Sequence, residues 1–142
     1  MSGASDIWEL DYFSRPLLDE EGKKRWELLI SNGDGSFRWQ RFCPASSVNS
    51  VWLKQALADA LSQASEDGAA TPRRLRCWRS SMRTMVQRAA EPMGLEMVPS
   101  RRCYALVEWL MERQAEVYPA MDGHMSGPLA PPPSPLQPPA IP

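Results

Sequence analysis

Histidine and cysteine, the residues most often used to bind zinc or to act as base and nucleophile, are scarce in this sequence. His124 is the single histidine, and it lies in a tail bounded by glycine and proline. The three cysteines, Cys43, Cys77 and Cys103, are widely spaced and form no CxxC pair. A zinc site, a disulfide framework and a histidine-based catalytic site are therefore not expected, and no metal or cofactor is predicted. The cysteines are expected to be small core residues in a reducing compartment.

Long apolar runs are also missing. The sequence has no stretch of about 18 apolar residues, so no membrane span is predicted. The N-terminus, MSGASDIWELDY, has neither a basic flank followed by an apolar stretch nor an arginine- and serine-rich leader. We therefore expect the protein to stay in the compartment where it is made. A length of 142 residues with 43% hydrophobic content predicts one domain plus a tail.

The first third of the chain has the two-residue period of strands. Residues 7–13, IWELDYF, alternate apolar and acidic side chains, and Arg15-Pro16 is expected to end this strand. A second strand is predicted at 26–30 and a third at 37–43. The segment Asn-Gly-Asp-Gly at 32–35 lies between them and favours a hairpin, because these residues tolerate positive φ. The pattern predicts a three-stranded antiparallel meander.

The rest of the domain alternates helices and short strands. An apolar stripe at helical spacing, with candidate N-caps in 47–50, predicts a first helix that ends near Ala64. The later elements are predicted as a strand at 75–78, a helix from Ser80 or Ser81 to Gly94, a strand at 95–98, and a helix capped by Ser100 that ends near Tyr118. The order β-β-β-α-β-α-β-α is that of ribonuclease H-like folds. It predicts an α/β protein with a five-stranded mixed sheet and helices on its faces.

The composition changes after residue 118. Residues 119–142 hold nine of the 14 prolines, with glycine, serine and alanine between them. Such a segment favours an extended, polyproline-like chain. We therefore expect a domain at 1–118 and a proline-rich, disordered linker or partner-recruiting tail at 119–142.

Positive charge is concentrated between residues 73 and 102. This segment has eight arginines, no lysine, and only Glu91 and Glu96 as acids, or about six positive charges in a chain whose net charge is −1. Arginine favours planar contact with phosphate or stacking on bases, so the segment predicts an anionic partner. The alternative is a solvated face whose arginines pair with acids elsewhere in the chain.

Carboxylates are the other candidate functional groups. Catalysis in ribonuclease H-like folds needs several carboxylates that converge on two magnesium ions. Asp11 lies in the middle of the first strand, where one such group is expected, and Glu9 and Glu27 could approach it. The first helix offers only Asp59, and strand four is followed by Arg79 where an acid would be needed. No catalytic residue is predicted, and a magnesium-dependent nuclease stays open as an alternative.

A specific resemblance is carried by four segments, which begin at Trp8, Phe42, Trp78 and Pro99: WELDYFSRPLLDEEGKKRWELLI, FCPASSVNSVWLKQAL, WRSSMRTMV and PSRRCYALVEWLMERQAEVYP. In this order, over nearly all of residues 7–119, they resemble the N-terminal domain of the Tab-two/Atab-two (Tab2/Atab2) family of cyanobacteria and plastids. The resemblance implies an RNA-binding translation activator for photosystem reaction-centre subunits. In algal chloroplasts its target is the 5′ untranslated region of a photosystem I core mRNA, and in land plants both photosystems depend on it.

The resemblance also has implications for the cellular location of the protein and for a C-terminal domain. Family members continue into a C-terminal domain after a linker, so such a domain is expected as a partner. The sequence shows no plastid leader, and in this respect it resembles a cyanobacterial member of the family. The resemblance therefore implies a cytoplasmic protein, whereas algal and plant members reside in the plastid stroma.

With the resemblance, the anionic partner becomes single-stranded RNA, which is held by cationic groups along its phosphates and by planar groups on its bases. The predicted contacts are Arg73, Arg74, Arg76, Trp78, Arg79, Arg83, Arg101 and Arg102. Arg101 and Arg102 are expected to open the third helix, where backbone amides also favour phosphate. Trp78 has the alternative of a core residue under a helix. A third hypothesis is a protein scaffold that uses exposed tryptophans and the PPPSP tail.

Overall fold

A five-stranded sheet forms the centre of the molecule. The structure, a computed structural model, describes residues 6–125. Its main elements are β1 (Ile7–Leu18), β2 (Lys24–Asn32), β3 (Arg38–Cys43), α1 (Ser50–Glu66), β4 (Arg74–Cys77), α2 (Arg83–Ala90), β5 (Glu96–Pro99) and α3 (Tyr104–Glu112). This order confirms the predicted ribonuclease H-like succession.

The sheet is mixed, with the strand order β3-β2-β1-β4-β5. β1 pairs antiparallel with β2, and β2 pairs antiparallel with β3. β4 runs parallel to both β1 and β5, with Cys77 opposite Leu10 on one side and Pro99 on the other. Because parallel strands end at the same edge of a sheet, the segments that follow β4 and β5 lie side by side. Ser100 N donates to Cys77 O at 3.1 Å and ties the two segments together.

One face of the sheet packs against α1 and α2. The alternation of β1 turns Trp8, Leu10 and Tyr12 toward this face, and all three are fully buried. Trp8 stacks on Phe37 with 5.2 Å between ring centroids. The predicted stripe of α1 is confirmed, and its buried members are Leu53, Ala56, Leu57, Ala60 and Ala64.

The opposite face is covered by α3 and the segment that follows it. Its buried apolar residues are Leu17, Leu29, Cys103, Leu106, Leu110 and Tyr118. After α3 the chain continues as a π-helical turn, Arg113–Val117, which brings Tyr118 into this second core. Glu9, Asp11 and Glu27 lie on the same face, because side chains two residues apart share a side of a strand and directly paired residues share a face. The face therefore combines an apolar core with buried charge.

The first strand is longer than its pattern indicates, because Pro16 does not end it. The register between β1 and β2 shifts between Ser14 and Leu18, which marks an irregularity of the kind where proline is tolerated in sheets. Residues after Tyr118 return along this part of β1. Met125 N donates to Pro16 O at 3.0 Å, and Leu18 N donates to Gly123 O at 2.8 Å. Ordered contacts thus continue past residue 118, and the proline-rich stretch from 126 lies outside the described residues.

The third helix starts later than predicted. Ser100 Oγ accepts from Arg102 N at 3.0 Å in a local turn, and α3 begins only at Tyr104. Arg101 and Arg102 therefore lie in the loop between β5 and α3, and the prediction that they open the helix is wrong. The extra residues let the chain leave β5 and bury Cys103 before the helix starts. In the part of the chain from 6 to 125, no helix has the length and apolar character needed to cross a bilayer.

The cysteines are core residues, as predicted. All three are buried and free. Burial raises the pKa of Cys77 to about 11 and that of Cys103 to about 12, so both remain thiols at neutral pH.

Candidate nucleic-acid interface

Asp11 lies at the middle of β1 and is neutralised by two arginines. Its side chain is fully buried, and Arg79 Nε donates to Asp11 Oδ1 at 2.7 Å. Arg15 Nη2 lies 3.1 Å from Asp11 Oδ2, in an ion pair whose two side chains are almost without solvent contact. The Asp11 carboxylate therefore holds two arginine side chains in place inside the protein.

Glu27, on β2, is surrounded by hydrogen-bond donors. Arg15 Nε donates to Oε1 and Gln40 Nε2 donates to Oε2, each at 2.9 Å. Arg113 and Tyr118 also donate to this carboxylate. Burial raises the pKa of Tyr118 to about 12, so its hydroxyl keeps its proton and remains a donor. All these donors converge on Glu27, as expected for a buried anion that requires compensation.

Arg15 links the two carboxylates. Burial alone would lower the pKa of its guanidinium, but the charges of Asp11 and Glu27 outweigh this effect and the pKa is raised. Arg15 therefore remains a cation with only 2% of its side chain exposed. The result is one buried network, formed by Asp11, Arg15, Glu27, Gln40, Arg79, Arg113 and Tyr118.

Glu9 has a different role, because it caps α3 from outside the helix. Leu106 N donates to Glu9 Oε1 at 2.9 Å. Burial raises the pKa of Glu9, and the amide hydrogen bonds from Leu106 and Ala105 act in the opposite direction. The amides at this helix terminus, where we expected phosphate to bind, are thus already occupied by a carboxylate of the same chain.

All three carboxylates of the nuclease alternative therefore have partners within the protein. Between residues 6 and 125, no three His, Cys, Asp or Glu side chains come together in a way that could hold a metal ion. Arg79, the second residue after β4, stands where an acid would be needed and is the closest partner of Asp11. The buried carboxylates and arginines neutralise one another, and the bond from Arg79 to Asp11 positions the loop after β4.

The predicted RNA contacts, seven arginines and Trp78, lie in two groups at opposite ends of β4, with Arg76 between them. Arg73 and Arg74 are exposed at its amino end, where Arg74 Nε pairs with Glu96 at 3.1 Å. The group at the carboxyl end consists of Trp78, Arg79, Arg83, Arg101 and Arg102, which lie in or next to the segments after β4 and β5. The four-residue step from Arg74 to Trp78 separates the two groups by about 13 Å of backbone. The eight side chains are therefore spread along the length of β4 and are not confined to one of its ends.

Arg79 and Trp78 are held inside the carboxyl-end group. The Arg79 guanidinium lies 4.1 Å from the ring centroid of Phe13 and 4.8 Å from that of Trp78, while it bonds Asp11. Only 22% of the Arg79 side chain is exposed. Trp78 is half-buried and packs against the second core. Both residues shape the surface more than they project from it.

Arg76 lies between the two groups and supports the loop before α3. Its Nη1 donates to Arg102 O at 2.9 Å. The Cys103 thiol lies 3.7 Å from Arg76 O and 3.5 Å from Ser100 O. These contacts fix the backbone of the loop, while the side chains of Arg101 and Arg102 remain exposed.

A cleft of about 510 Å³ opens at the carboxyl end of the parallel strands. Its lining residues are Cys77, Trp78, Arg79, Ser80, Ser81, Pro99, Ser100 and Arg101. We use the name carboxyl-edge patch for this cleft together with exposed Arg83 and Arg102. Serine hydroxyls and guanidinium groups are donors that suit phosphate and ribose oxygens.

The sequence interpretation missed Tyr104, the first residue of α3, whose exposed fraction is 75%. The signal was present, because the inner face of the helix begins at Cys103 and continues at Leu106, which leaves Tyr104 outside. It also missed Arg113 and Tyr118 as partners of Glu27. Arg113 is 86 positions from Glu27 in the sequence, and Tyr118 is 91 positions from it. No local pattern indicates a contact over such a separation.

The tryptophans do not provide the exposed surface that the scaffold hypothesis needed. Trp8 is fully buried, and the other five tryptophans are half-buried. That expectation is wrong, because the rings pack on the core and on neighbouring arginines. The PPPSP tail lies outside the described residues.

Comparison with solved structures shows the fold. The chain is similar to the catalytic core domain of BIV integrase, with a TM-score of 0.52 and 12% identity over 78% of this chain and 70% of that chain. At this identity the likeness shows the fold alone, and it confirms the ribonuclease H-like architecture.

Comparison with protein families and curated proteins shows the relationship. Residues 7–113 match the family described as RNA-binding protein Tab2/Atab2 N terminal. The TAB2 homolog, chloroplastic, of Zea mays is 44% identical over 120 residues, which are 84% of this chain and 30% of the relative. The Arabidopsis thaliana homolog is 38% identical over 123 residues, or 86% and 32%. The chain thus spans about a third of the length of these relatives. It belongs to the Tab2/Atab2 family of RNA-binding proteins, and it corresponds to the N-terminal domain of that family.

Proposed function

We propose that this chain is a non-catalytic module that binds single-stranded RNA at the carboxyl-edge patch. The observation that carries the proposal is the position of Arg83, Arg101 and Arg102, which are exposed beside the cleft after β4 and β5. The family's description as RNA-binding supports the class of ligand. Guanidinium groups hold phosphate through paired hydrogen bonds, and nearby hydroxyls add donors for ribose and phosphate oxygens.

The non-catalytic part of the proposal rests on the buried network. A two-metal nuclease needs carboxylates that are free to bind two metal ions, which stabilise the attacking and leaving oxygens of the phosphate. Here Asp11 is bonded by Arg79 and Arg15, and Glu27 is bonded by Arg15 and Arg113. We interpret the site as a degenerate nuclease centre in which arginines occupy the positions that metal ions would need. Its remaining role is to hold the loop after β4 in place.

The proposed biological role is based on the relatives, which are named chloroplastic TAB2 homologs. We propose that the RNA is the 5′ untranslated region of a photosystem reaction-centre mRNA, and that binding activates its translation during photosystem biogenesis. The module would work with the C-terminal part that makes up the remainder of the relatives' length. It would act in the cytoplasm of a cyanobacterium, or in the plastid stroma in algae and plants.

Two pairs of neighbouring arginines provide a matched test. The 142-residue chain is titrated into a fluorescently labelled single-stranded RNA, and anisotropy gives the Kd at several salt concentrations. Arg101→Ala with Arg102→Ala should weaken binding about tenfold or more, because two charge-assisted contacts are lost. The slope of log K against log salt should also become about 1.4 less steep, since each lost contact to a single strand removes about 0.7.

The control is Arg73→Ala with Arg74→Ala, which removes the same charge from the other end of β4. We expect this variant to keep most of the affinity and the full salt slope. Equal losses in both double variants would show that net charge matters and position does not, and would refute the carboxyl-edge patch. A wild-type chain without affinity at low salt would refute RNA binding by this module.

Metal dependence separates this function from the nuclease alternative. Binding should be the same in magnesium and in EDTA, and the RNA should stay intact on a denaturing gel in both. Magnesium-dependent cleavage that Asp11→Asn abolishes would overturn the non-catalytic assignment.

A further inference from the structure

Tyr104 is the most exposed aromatic side chain of residues 6–125, and it follows two arginines of the carboxyl-edge patch closely in the sequence. Its exposed fraction is 75%, whereas every tryptophan in the same range is buried or half-buried. It is the first residue of α3, and Arg101 and Arg102 precede it by three and two residues. An aromatic ring beside exposed guanidinium groups is the combination that single-stranded nucleic acids select in binding grooves.

The backbone that carries Tyr104 is fixed on both sides. Before it, Arg76 Nη1 donates to Arg102 O at 2.9 Å, and Cys103 is completely buried. After it, the Glu9 carboxylate accepts from Leu106 N at 2.9 Å. The ring is therefore presented to solvent from a rigid helix start, and little backbone entropy is lost when a base covers it.

We propose that Tyr104 is the base-stacking residue of this module. Its ring takes the face of one unpaired base, while Arg101 and Arg102 hold the phosphates next to that base. The inference rests on the proposed RNA binding and adds a contact to the base itself. Because every base has a π face, this contact selects single-stranded over duplex RNA and has little preference for sequence.

The test compares three substitutions on one helix. Tyr104→Ala should weaken binding of a labelled single-stranded RNA by about 5- to 150-fold, the range found when a stacking aromatic is removed. Tyr104→Phe keeps the ring and should bind within about twofold of wild type. Met111→Ala, at an exposed position of the same helix with 45% exposure, is the control and should change nothing. Circular dichroism establishes that all three variants are folded.

A second ligand isolates the contribution of the base. An abasic oligonucleotide of the same length retains the sugar-phosphate chain, so wild type and Tyr104→Ala should bind it equally. If Tyr104→Ala binds normal RNA as tightly as wild type does, while Arg101→Ala with Arg102→Ala has lost affinity, the stacking role is refuted and the proposed function stands. If the wild-type chain binds neither ligand, the proposed function and this inference both fail.

Discussion

Replacement of Asp11 by asparagine should destabilise the fold much more than the same change at an exposed ion pair. Asp11 and Asp59 each accept from an arginine at 2.7 Å, from Arg79 and Arg41 respectively. The two pairs differ in burial: the Asp11 side chain is fully buried, whereas 40% of the Asp59 side chain is exposed. The comparison therefore matches the length of the shortest arginine contact and varies the burial of the carboxylate.

The expected magnitude follows from what the substitution leaves behind. Without the charge of Asp11, Glu27 is the one carboxylate left for the three arginines of the network, and it pairs directly with only Arg15 and Arg113. Arg15 is 2% exposed and cannot reach water without a change in the core. Removal of one partner from a buried pair costs about 3–5 kcal/mol. We expect about 3 kcal/mol for Asp11→Asn, because the partly exposed Arg79 is able to turn toward solvent.

Urea denaturation of the 142-residue chain, followed by tryptophan fluorescence, measures both changes in the free energy of unfolding. Asp59→Asn should cost less than about 1 kcal/mol, as exposed ion pairs do. If the two variants lose equal and small amounts, Asp11 does not anchor a buried network, and the account of the charge pairs around it is incorrect. An m-value that stays constant between variants confirms that the unfolding reaction is the same.

Three further perturbations test other parts of the fold by the same measurement. Tyr118→Phe keeps the ring but removes a buried donor to Glu27, and should cost about 1–3 kcal/mol; no loss would show that Glu27 is satisfied without it. Asn49→Ala removes the side-chain cap of α1, whose Oδ1 accepts from Trp52 N at 2.8 Å, and should cost about 1 kcal/mol. Burial raises the pKa of Cys77 to about 11 and that of Cys103 to about 12, above the usual 9.0. Protonation of these thiols stabilises the fold fully below pH 9, and this contribution is lost as the pH rises through the folded-state values. The free energy of unfolding should therefore fall by about 1.4 kcal/mol per thiol between pH 8 and 10, and constant stability would contradict their burial.

The order of elements was readable from local patterns. Alternation in β1, the Asn-Gly-Asp-Gly hairpin and the apolar stripe of α1 each depend on residues close in sequence, and each is confirmed. Boundaries that depend on distant partners were not readable. β1 passes through Pro16 because residues from the far end of the domain, Gly123 and Met125, return to bond it. α3 starts after Cys103 because that residue is needed in the core.

The site shows the same division. The concentration of arginine between 73 and 102 was visible in the sequence. The sequence also showed that some acids expected of a two-metal nuclease are missing. The sequence did not show which arginines are exposed and able to bind RNA. This depends on the parallel register of β4 and β5 and on the ion pair between Arg79 and Asp11. Charge in a sequence indicates the kind of partner, whereas the topology of the sheet decides which charges face the same side.

The central claim is that the carboxyl-edge patch is the RNA surface, and the most direct test is a nuclear magnetic resonance titration. The isotopically labelled chain of 16.0 kDa is within reach of backbone assignment, and a short unlabelled single-stranded RNA is added in steps. Amide shifts should concentrate in residues 78–83 and 100–104, with little change at Arg73 and Arg74. Shifts that instead centre on the amino end of β4, or on the face covered by α1, would contradict the account.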